Sequence, residues 1–295
     1  MRKMKAITIA GKGISVCVLL FLAMSYIACA STPNKSAKPF FDPGQATRLF
    51  DEGVRFNMDG DFERAISSFT EAIRAYPSFQ RAYVARGLAH FVLGRHSEAM
   101  RDFNEAIHFG LRPHDLSSYT LALTTNGMIY NIFGEYESAL ESFNRVLYIA
   151  PLSPEALNGR SAAFFRIGRL PAALADVHFA ISLDPSRYVY FCNRGTIHYY
   201  LGLPYRALAD FIASLELNPY NTDTAVAAAA VAKDLGHYEF SLSLYDHALS
   251  VKPGFLPAYR GRGNVFIILA GLADDINRRD VLLEKAMADF ERASH

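Results

Sequence analysis

The sequence has no tryptophan, only three cysteines and no clear excess of basic or acidic residues among its 295 residues. Three cysteines cannot form a disulfide framework, and Cys17 lies in an N-terminal leader. Clustered thiols that would bind zinc are excluded for the same reason. Residues 29–295 hold 26 basic and 29 acidic side chains, and this mildly acidic balance argues against nucleic acid as a partner.

Motifs of common catalytic and cofactor sites are also missing. The sequence contains no phosphate-binding glycine loop, no H-E-x-x-H, no G-x-S-x-G and no EF-hand spacing. His108, His114 and His178 have no carboxylate or thiol at metal-ligand spacing on the same helix face. We therefore predict a protein that is not an enzyme, with no catalytic residue, no metal and no cofactor.

The N-terminus has the order of a secretory signal, with a basic stretch, an apolar stretch and then small residues. Residues 1–12 hold four positive charges, and the stretch from Ile14 to Ala28 holds no charge. That apolar stretch is short for a membrane span, which needs about 20 residues. We expect residues 1–28 to be a signal peptide that directs export, and residues 29–41 to be a flexible tether.

Two cleavage products remain open. Ala28-Cys29 resembles the lipobox of bacterial lipoproteins, in which the cysteine becomes the lipidated first residue, although Tyr26 stands where leucine is usual. Lipidation of Cys29 would hold the chain on a bacterial membrane facing the periplasm, because each buried CH₂ contributes about 0.8 kcal/mol. Ala28 and Ala30 also form an A-x-A site, whose cleavage would release a soluble periplasmic or secreted protein. An uncleaved anchor is the third possibility.

Glycines mark a repeat along the rest of the chain. They recur at one constant interval, with a single longer step, at Gly60, Gly94, Gly134, Gly168, Gly202 and Gly236. A second glycine column keeps the same phase at Gly53, Gly87, Gly127, Gly195 and Gly263, as do phenylalanines at Phe69, Phe103, Phe143 and Phe211. Apolar residues between them recur at helical spacing, so each period predicts two antiparallel helices that meet at the turn glycine.

This pattern, closed in most periods by a proline, resembles the tetratricopeptide repeat (TPR) family. The resemblance implies an all-α right-handed superhelix, an α-solenoid of seven antiparallel helix-turn-helix units in a domain at residues 42–295. The units are 46–79, 80–113, 120–153, 154–187, 188–221, 222–255 and 256–295. Extra residues 114–119 precede the third unit, and an insertion, placed around residues 272–279, separates the two helices of the seventh.

Arginine at the seventh position of the repeat and aspartate at the twenty-third occur together in four of these units, and the other three units have neither. The pairs are Arg86–Asp102, Arg160–Asp176, Arg194–Asp210 and Arg262–Asp289, with one fixed spacing that is longer only where the insertion intervenes. In an antiparallel hairpin the two positions lie within about one turn of facing each other. We therefore predict a structural ion pair within each of these units, in preference to a row of anion-binding arginines.

Two histidines and one cysteine fall within the predicted helices. His90 and His198 occupy the repeat position that holds Tyr130 and Phe164 in neighbouring units, so we predict that they pack between helices. Cys192 has no histidine one turn away along the chain, and we interpret it as a small apolar residue.

The TPR resemblance also implies a binding surface, because the first helices of stacked hairpins line a concave wall. The inward-facing positions predict a partner-binding groove of Val84, Leu88, Phe91, Met128, Asn131, Asn158, Ala162, Phe165, Asn193, Thr196, Tyr199 and Tyr200. This wall is uncharged and suits a neutral peptide or a helix, because asparagine amides can serve a peptide backbone. The alternative is that many of these side chains pack against the next unit.

Two functional classes remain. The first is a non-enzymatic scaffold or adaptor of the bacterial cell envelope, which binds protein partners in the groove and a membrane through its lipid. The alternative is an accessory component of a periplasmic transport system that holds a small hydrophobic ligand, and an enclosed pocket in the sixth unit would favour it. Self-association into a homo-oligomer, through the seventh unit or Phe40-Phe41, is a further possibility.

Overall fold

The structure, a computed structural model, describes residues 42–112 and 115–294. Every regular element in these ranges is a helix, which confirms the predicted all-α fold. The predicted signal peptide, the tether, the lipidation site Cys29 and Phe40-Phe41 lie outside the described residues.

The described helices form two compact units, residues 42–167 and residues 168–294. The first holds α1 (Pro43–Met58), α2 (Phe62–Ala75), α3 (Gln80–Val92), α4 (His96–His108), α5 (Leu116–Phe133), α6 (Tyr136–Ile149) and α7 (Pro154–Arg166). The second holds α8 (Leu170–Leu183), α9 (Tyr188–Tyr200), α10 (Pro204–Leu217), α11 (Thr222–Asp234), α12 (Tyr238–Val251), α13 (Leu256–Gly271) and α14 (Ile276–Arg292).

Short polar side chains start several of these helices. The Asp42 carboxylate accepts a hydrogen bond from the Gln45 N–H at 2.9 Å, and Pro43 occupies the first helical position. Asp61, Ser153, Asn221 and Asp275 cap α2, α7, α11 and α14 in the same way. The turn glycines that end the first helix of a hairpin have φ between 73° and 80°, a left-handed conformation that other residues adopt at a cost.

The second glycine column sets how closely the two helices of a hairpin approach. A Cβ atom built on Gly87 would lie 2.9 Å from the Phe103 ring, and one on Gly195 would lie 2.9 Å from the Phe211 ring. Gly53 and Gly127 meet Phe69 and Phe143 in the same way. These four phenylalanines are at most 2% exposed, so the glycine–phenylalanine contacts form the core of each hairpin.

The insertions lengthen helices more than they lengthen loops. Helix α5 has 18 residues where α3 and α7 have 13, because the chain becomes helical at Leu116. In the seventh hairpin α13 runs to Gly271 and α14 begins at Ile276, so the predicted separation of the helices by residues 272–279 is too long. Asp275 is the reason, because its carboxylate accepts hydrogen bonds from Asn277 and Arg278 and starts α14 there.

Candidate functional site

Three of the four predicted arginine–aspartate pairs are in contact within their hairpins. Arg86 donates from Nε and Nη2 to the two carboxylate oxygens of Asp102 at 2.9 and 2.6 Å. Arg194 makes the same bidentate contact with Asp210, and Arg262 makes it with Asp289. Arg160 and Asp176 lie on helices of different compact units, and their pairing stays a prediction.

The remaining nitrogen of these arginines reaches the preceding hairpin, a contact that sequence reasoning missed. Nη1 of Arg86 donates to Thr70 Oγ1 at 3.1 Å, and Nη1 of Arg160 donates to Asn144 Oδ1 at 2.8 Å. Nη1 of Arg262 lies 2.5 Å from Asp246 Oδ1. Each of these partners lies 16 residues before its arginine. The aspartate of the ion pair usually lies 16 residues after the arginine, so the same spacing, counted toward the N-terminus, could have predicted the second contact.

Aromatic rings cover the same guanidinium groups. The ring of Tyr83 lies 5.5 Å from Arg86, that of Phe191 lies 5.4 Å from Arg194, and that of Tyr259 lies 5.6 Å from Arg262. With its donors engaged and one face covered, each arginine holds helices together. We conclude that Arg86, Arg194 and Arg262 are structural residues.

The histidines and the cysteine are also accounted for by packing. His198 is 8% exposed, and its Nδ1 lies 2.7 Å from Asp210 Oδ2, so Asp210 holds both His198 and Arg194. Burial lowers the pKa of His90 below the ordinary 6.5. Burial raises the pKa of the Cys192 thiol, which the Thr224 hydroxyl contacts at 3.4 Å, and a thiol kept protonated is a poor nucleophile.

Part of the predicted groove is core. Val84, Leu88 and Phe91 are 0%, 4% and 7% exposed, and they pack with Phe103 and Ile129. Their positions on α3 are turned toward the hairpin core and α5, so these three side chains offer no surface to a partner. We therefore exclude them from the groove.

The other predicted groove residues of the first compact unit, residues 42–167, are half-buried. Met128 packs beside the cluster around Phe143, and Asn131 donates from Nδ2 to the Gly159 carbonyl at 3.0 Å, which ties α5 to α7. Asn158, Ala162 and Phe165 lie on α7 and are likewise half-buried. The Asn131 amide was predicted to bind the backbone of a ligand. Its Nδ2 instead donates to a backbone carbonyl of this chain.

The second compact unit, residues 168–294, keeps more of the predicted groove accessible. Asn193, Thr196 and Tyr199 of α9 are half-buried, and Tyr200 is 39% exposed. The rings of Tyr199 and Tyr200 meet edge to face at 6.1 Å. The Tyr199 hydroxyl donates to Asp234 Oδ2 of α11 at 2.9 Å, and burial together with this carboxylate raises the pKa of Tyr199 to about 12.

Small residues lie beside this aromatic edge. In the repeat register of Asn193 and Thr196, α11 presents the half-buried Ala227 and Ala230, and Lys233 holds the register position of Tyr199. Helix α13 presents Arg260, Asn264 and Ile267, all exposed. We call this surface the inner groove. Its first edge is formed by the tyrosines of α9, its floor by the alanines of α11, and its second edge by the exposed residues of α13.

A separate apolar cavity of 700 Å³ lies on the second helix of the third hairpin. It is lined by Leu140, Tyr148 and Ile149 of α6 and by Leu111 and Tyr119, and it is open to solvent, because Tyr148 is 90% exposed and Leu111 is 52% exposed. Arg145 donates to the Tyr119 hydroxyl at 2.6 Å, and Glu137 and Glu141 stand at the rim. The predicted pocket for a small hydrophobic ligand was to lie in the sixth repeat unit, residues 222–255. This cavity lies elsewhere, between residues 111 and 149.

Two absences in the described ranges bear on other functions. Within residues 42–112 and 115–294, no three histidine, cysteine, aspartate or glutamate side chains are grouped so that they could hold a metal ion. In the same ranges, no helix combines the length and the apolar character that a membrane crossing requires.

Comparison with known proteins confirms the predicted repeat. The sequence matches the family model described as Tetratricopeptide repeat over residues 59–115 and 133–181. Tetratricopeptide repeat protein 6 of Homo sapiens is 28% identical over 162 residues, which cover 54% of this chain and 30% of that protein. Tetratricopeptide repeat protein 13 of Homo sapiens is 29% identical over 171 residues, which cover 56% of this chain and 20% of that protein.

Solved structures show the same fold. Superposition on the APC/C hetero-tetramer Cut9–Hcn1 gives a TM-score of 0.68 at 15% identity and covers 85% of this chain and 46% of that one. PilW, described as a widely conserved type IV pilus biogenesis factor, gives 0.63 at 14% identity and covers 70% and 94% of the two chains.

Residues 59–115 and 133–181 are therefore tetratricopeptide repeats, and proteins built from this repeat act as scaffolds for protein–protein interaction. It spans less than a third of the length of each of the two human relatives.

Proposed function

We propose that this protein is a non-enzymatic scaffold that binds a peptide or helix of a partner protein in the inner groove. The observation that carries the proposal is the α9–α11–α13 surface, where accessible aromatic rings stand beside a floor of alanines. Alanine side chains extend little from a helix, so an apolar side chain of a partner would pack against Ala227 and Ala230. Aromatic anchors in such pockets supply most of the affinity in protein interfaces.

The polar groups of the inner groove select an uncharged or mixed ligand. Asp234 is occupied by the Tyr199 hydroxyl and by Lys233, whose ammonium lies 2.6 Å from its other oxygen. The exposed amide of Asn264 offers a donor and an acceptor, which suits the backbone of an extended segment. This supports a short peptide segment or one face of a helix as the ligand.

The setting that we propose is the bacterial cell envelope. The order of charges in residues 1–28 and the Ala28-Cys29 pair support export followed by lipidation of Cys29. Two signals, a diacylglyceryl thioether and an N-acyl chain, would suffice for stable membrane attachment. Partner proteins of the envelope would then meet a scaffold held at the membrane surface.

Site-specific photo-crosslinking in intact cells tests the groove. A photo-reactive amino acid replaces Tyr200 on one edge or Ile267 on the other, and Glu239 on the second helix α12 is the matched exposed control. We expect one protein adduct of the same mass from Tyr200 and Ile267 and none from Glu239. An adduct from all three positions, or from Glu239 alone, would contradict binding in the inner groove.

A second candidate function is supported by the α6 cavity. Its 700 Å³ lies in the range of small-molecule sites, and Leu140, Tyr148 and Ile149 make its wall apolar. Native mass spectrometry of the purified chain tests this ligand-binding function. A bound small molecule that is lost when Leu140 is replaced by Gln would favour the carrier, and binding that survives this change would exclude the cavity as its site.

Mass spectrometry of the mature N-terminus tests the anchor. We expect a chain that begins at Cys29 with added acyl mass, and a Cys29→Ser variant that stays unprocessed. A mature chain that begins at unmodified Ser31 would establish cleavage after Ala30 and a soluble protein.

A further inference from the structure

The extra residues before the third hairpin build one wall of the α6 cavity. In five other hairpins the repeat position just before the first helix holds its N-cap residue, namely Phe79, Ser153, Arg187, Asn221 and Phe255. In the third hairpin the same position holds Tyr119, which lies inside α5 because that helix begins at Leu116. Tyr119 is 7% exposed and lines the cavity together with Leu111. The cavity therefore depends on a turn of helix that the other first helices do not have at this position.

Two residues of α6 depart from the repeat pattern at the same place. Tyr148 is 90% exposed, and its repeat position holds polar residues in five other hairpins, namely Arg74, His108, Ser182, Glu216 and Ser250. Glu141 is also exposed, and its position holds Ser67, Arg101, Ala175, Ala209 and Ser243 in the same five hairpins. Because both side chains point to solvent, packing within the hairpin does not explain an aromatic ring and a carboxylate here.

The lining changes from acidic to apolar along α6. Glu137 and Glu141 stand at the N-terminal half of the helix, and Tyr148 and Ile149 stand near its C-terminal end with Leu111 beside them. Two helical turns separate Glu141 from Tyr148, so both lie on one face about 10 Å apart along the axis. The cavity is thus elongated, with a carboxylate end and an apolar end.

Arg145, the basic residue of the lining, does not neutralise the acidic end. Its Nη2 donates to the Tyr119 hydroxyl at 2.6 Å, and its guanidinium lies 5.9 Å from the Tyr119 ring. Among the described residues, neither Glu137 nor Glu141 makes an ion pair. Glu137 lies in the first turn of α6, where the helix dipole favours an acidic side chain, whereas Glu141 lies beyond that turn. Glu141 is therefore the carboxylate for which the fold gives no structural role.

We propose that the α6 cavity binds an amphiphilic organic cation, with its ammonium group on Glu141 and its apolar body against Tyr148 and Ile149. This proposal rests on the ligand-binding function given above as the second candidate, and it names the chemical class of the ligand. The carboxylate of Glu141, with Glu137 one turn away, attracts a cation and repels an anionic amphiphile such as a fatty acid. The apolar end buries the body of the ligand and leaves its charged end in water beside the two carboxylates.

The test uses the full chain and two fluorescent probes that differ in charge alone. Dansylcadaverine carries a naphthalene body on an alkyl chain that ends in a primary ammonium, and its N-acetylated derivative keeps the body without the charge. Fluorescence anisotropy gives Kd for each probe. All proteins are measured in one detergent solution, so partition of a probe into micelles is the same for every variant.

We expect the charged probe to bind the parent chain about fivefold more tightly than the acetylated probe. Glu141→Gln should remove most of this preference, and Glu141→Arg should reverse it. Arg101 holds this repeat position in the second hairpin, so the fold accepts arginine there. Glu239→Gln on α12 is the matched control, because Glu239 is exposed at the repeat position of Glu137, and it should change neither affinity.

Two further variants separate failure of this proposal from failure of the ligand-binding function. Leu140→Gln and Tyr148→Ser should each weaken both probes, and serine already holds the Tyr148 position in two other hairpins, so the second variant keeps the fold. Equal binding of the two probes to the parent, weakened by both variants, would show an apolar site and overturn the assignment of a cation. Binding of neither probe, or binding that both variants leave unchanged, would refute the ligand-binding function and this proposal together.

Discussion

At the residue scale, the arginine that recurs in four hairpins joins three helices at once. Arg194 contacts Asp210 in its own hairpin and His178 in the preceding one, and the Phe191 ring covers it. Asp210 is 5% exposed, and its carboxylate oxygens contact this arginine and His198. Removing one member of such a buried pair leaves a charge that the interior solvates poorly.

We expect Arg194→Ala to lower the free energy of unfolding by about 3 kcal/mol. Arg194→Lys should lose less, because lysine keeps the charge but cannot fork on Asp210. Arg206→Ala on the exposed surface of α10 is the control and should stay within about 0.5 kcal/mol of the parent. Urea unfolding followed by circular dichroism measures all three, and an Arg194→Ala variant as stable as Arg206→Ala would refute the structural role.

His90 links stability to pH. Burial lowers its pKa in the folded chain below the ordinary 6.5, while nearby Asp102 opposes this shift. The unfolded chain therefore takes up the proton first, and stability present above pH 6.5 is lost as the pH falls through the lowered value.

The His90→Phe variant should lose less stability than the parent between pH 7 and pH 5. Phe164 holds the same repeat position, so the substitution keeps a side chain that the site accepts. Unfolding free energies at the two pH values measure the effect. An equal acid loss in both proteins would show that His90 does not contribute.

At the scale of the hairpin, a glycine on one helix and a phenylalanine on the other set the separation of the two helices. A Cβ on Gly195 would lie 2.9 Å from the Phe211 ring and 3.1 Å from the Ala207 carbonyl oxygen. Both neighbours belong to α10, so an added methyl group pushes the two helices apart.

We expect Gly195→Ala to cost about 2 kcal/mol, and the Gly195→Ala/Phe211→Leu double variant to cost less than the sum of its parts. Gly254→Ala is the matched control, because nothing lies within 4 Å of the added Cβ and the turn has no positive φ. Thermal unfolding of the four proteins gives the coupling energy. Strict additivity would mean that the glycine does not control helix separation.

At the scale of the whole molecule, the helices of each compact unit contact their neighbours along the sequence, as expected of a repeat array. Stability in such arrays is close to a sum of local terms, and a defect should remain local. Arg194→Ala should accordingly raise amide exchange in α9 and α10 at least about fivefold more than in α1–α4. Hydrogen exchange with mass spectrometry measures this, and a uniform rise along the chain would indicate one cooperative unit.

The sequence by itself determined the repeat and the pairs that follow from it. A glycine at a constant interval, apolar residues at helical spacing and an arginine a fixed distance before an aspartate are local patterns, and local patterns specify helices and hairpins. The sequence predicted the helix boundaries less well, because a capping residue such as Asp275 decides where an inserted segment becomes helical.

Only the tertiary structure decided which surfaces are open. Val84 and Tyr200 occupy comparable inward positions in the repeat register, yet Val84 is fully buried and Tyr200 is 39% exposed. Burial depends on the neighbouring hairpin, whose side chains are set elsewhere in the sequence. The same reason explains Met287, which is apolar like Met100 and Leu242 and differs from them only in lacking a described helix on its face.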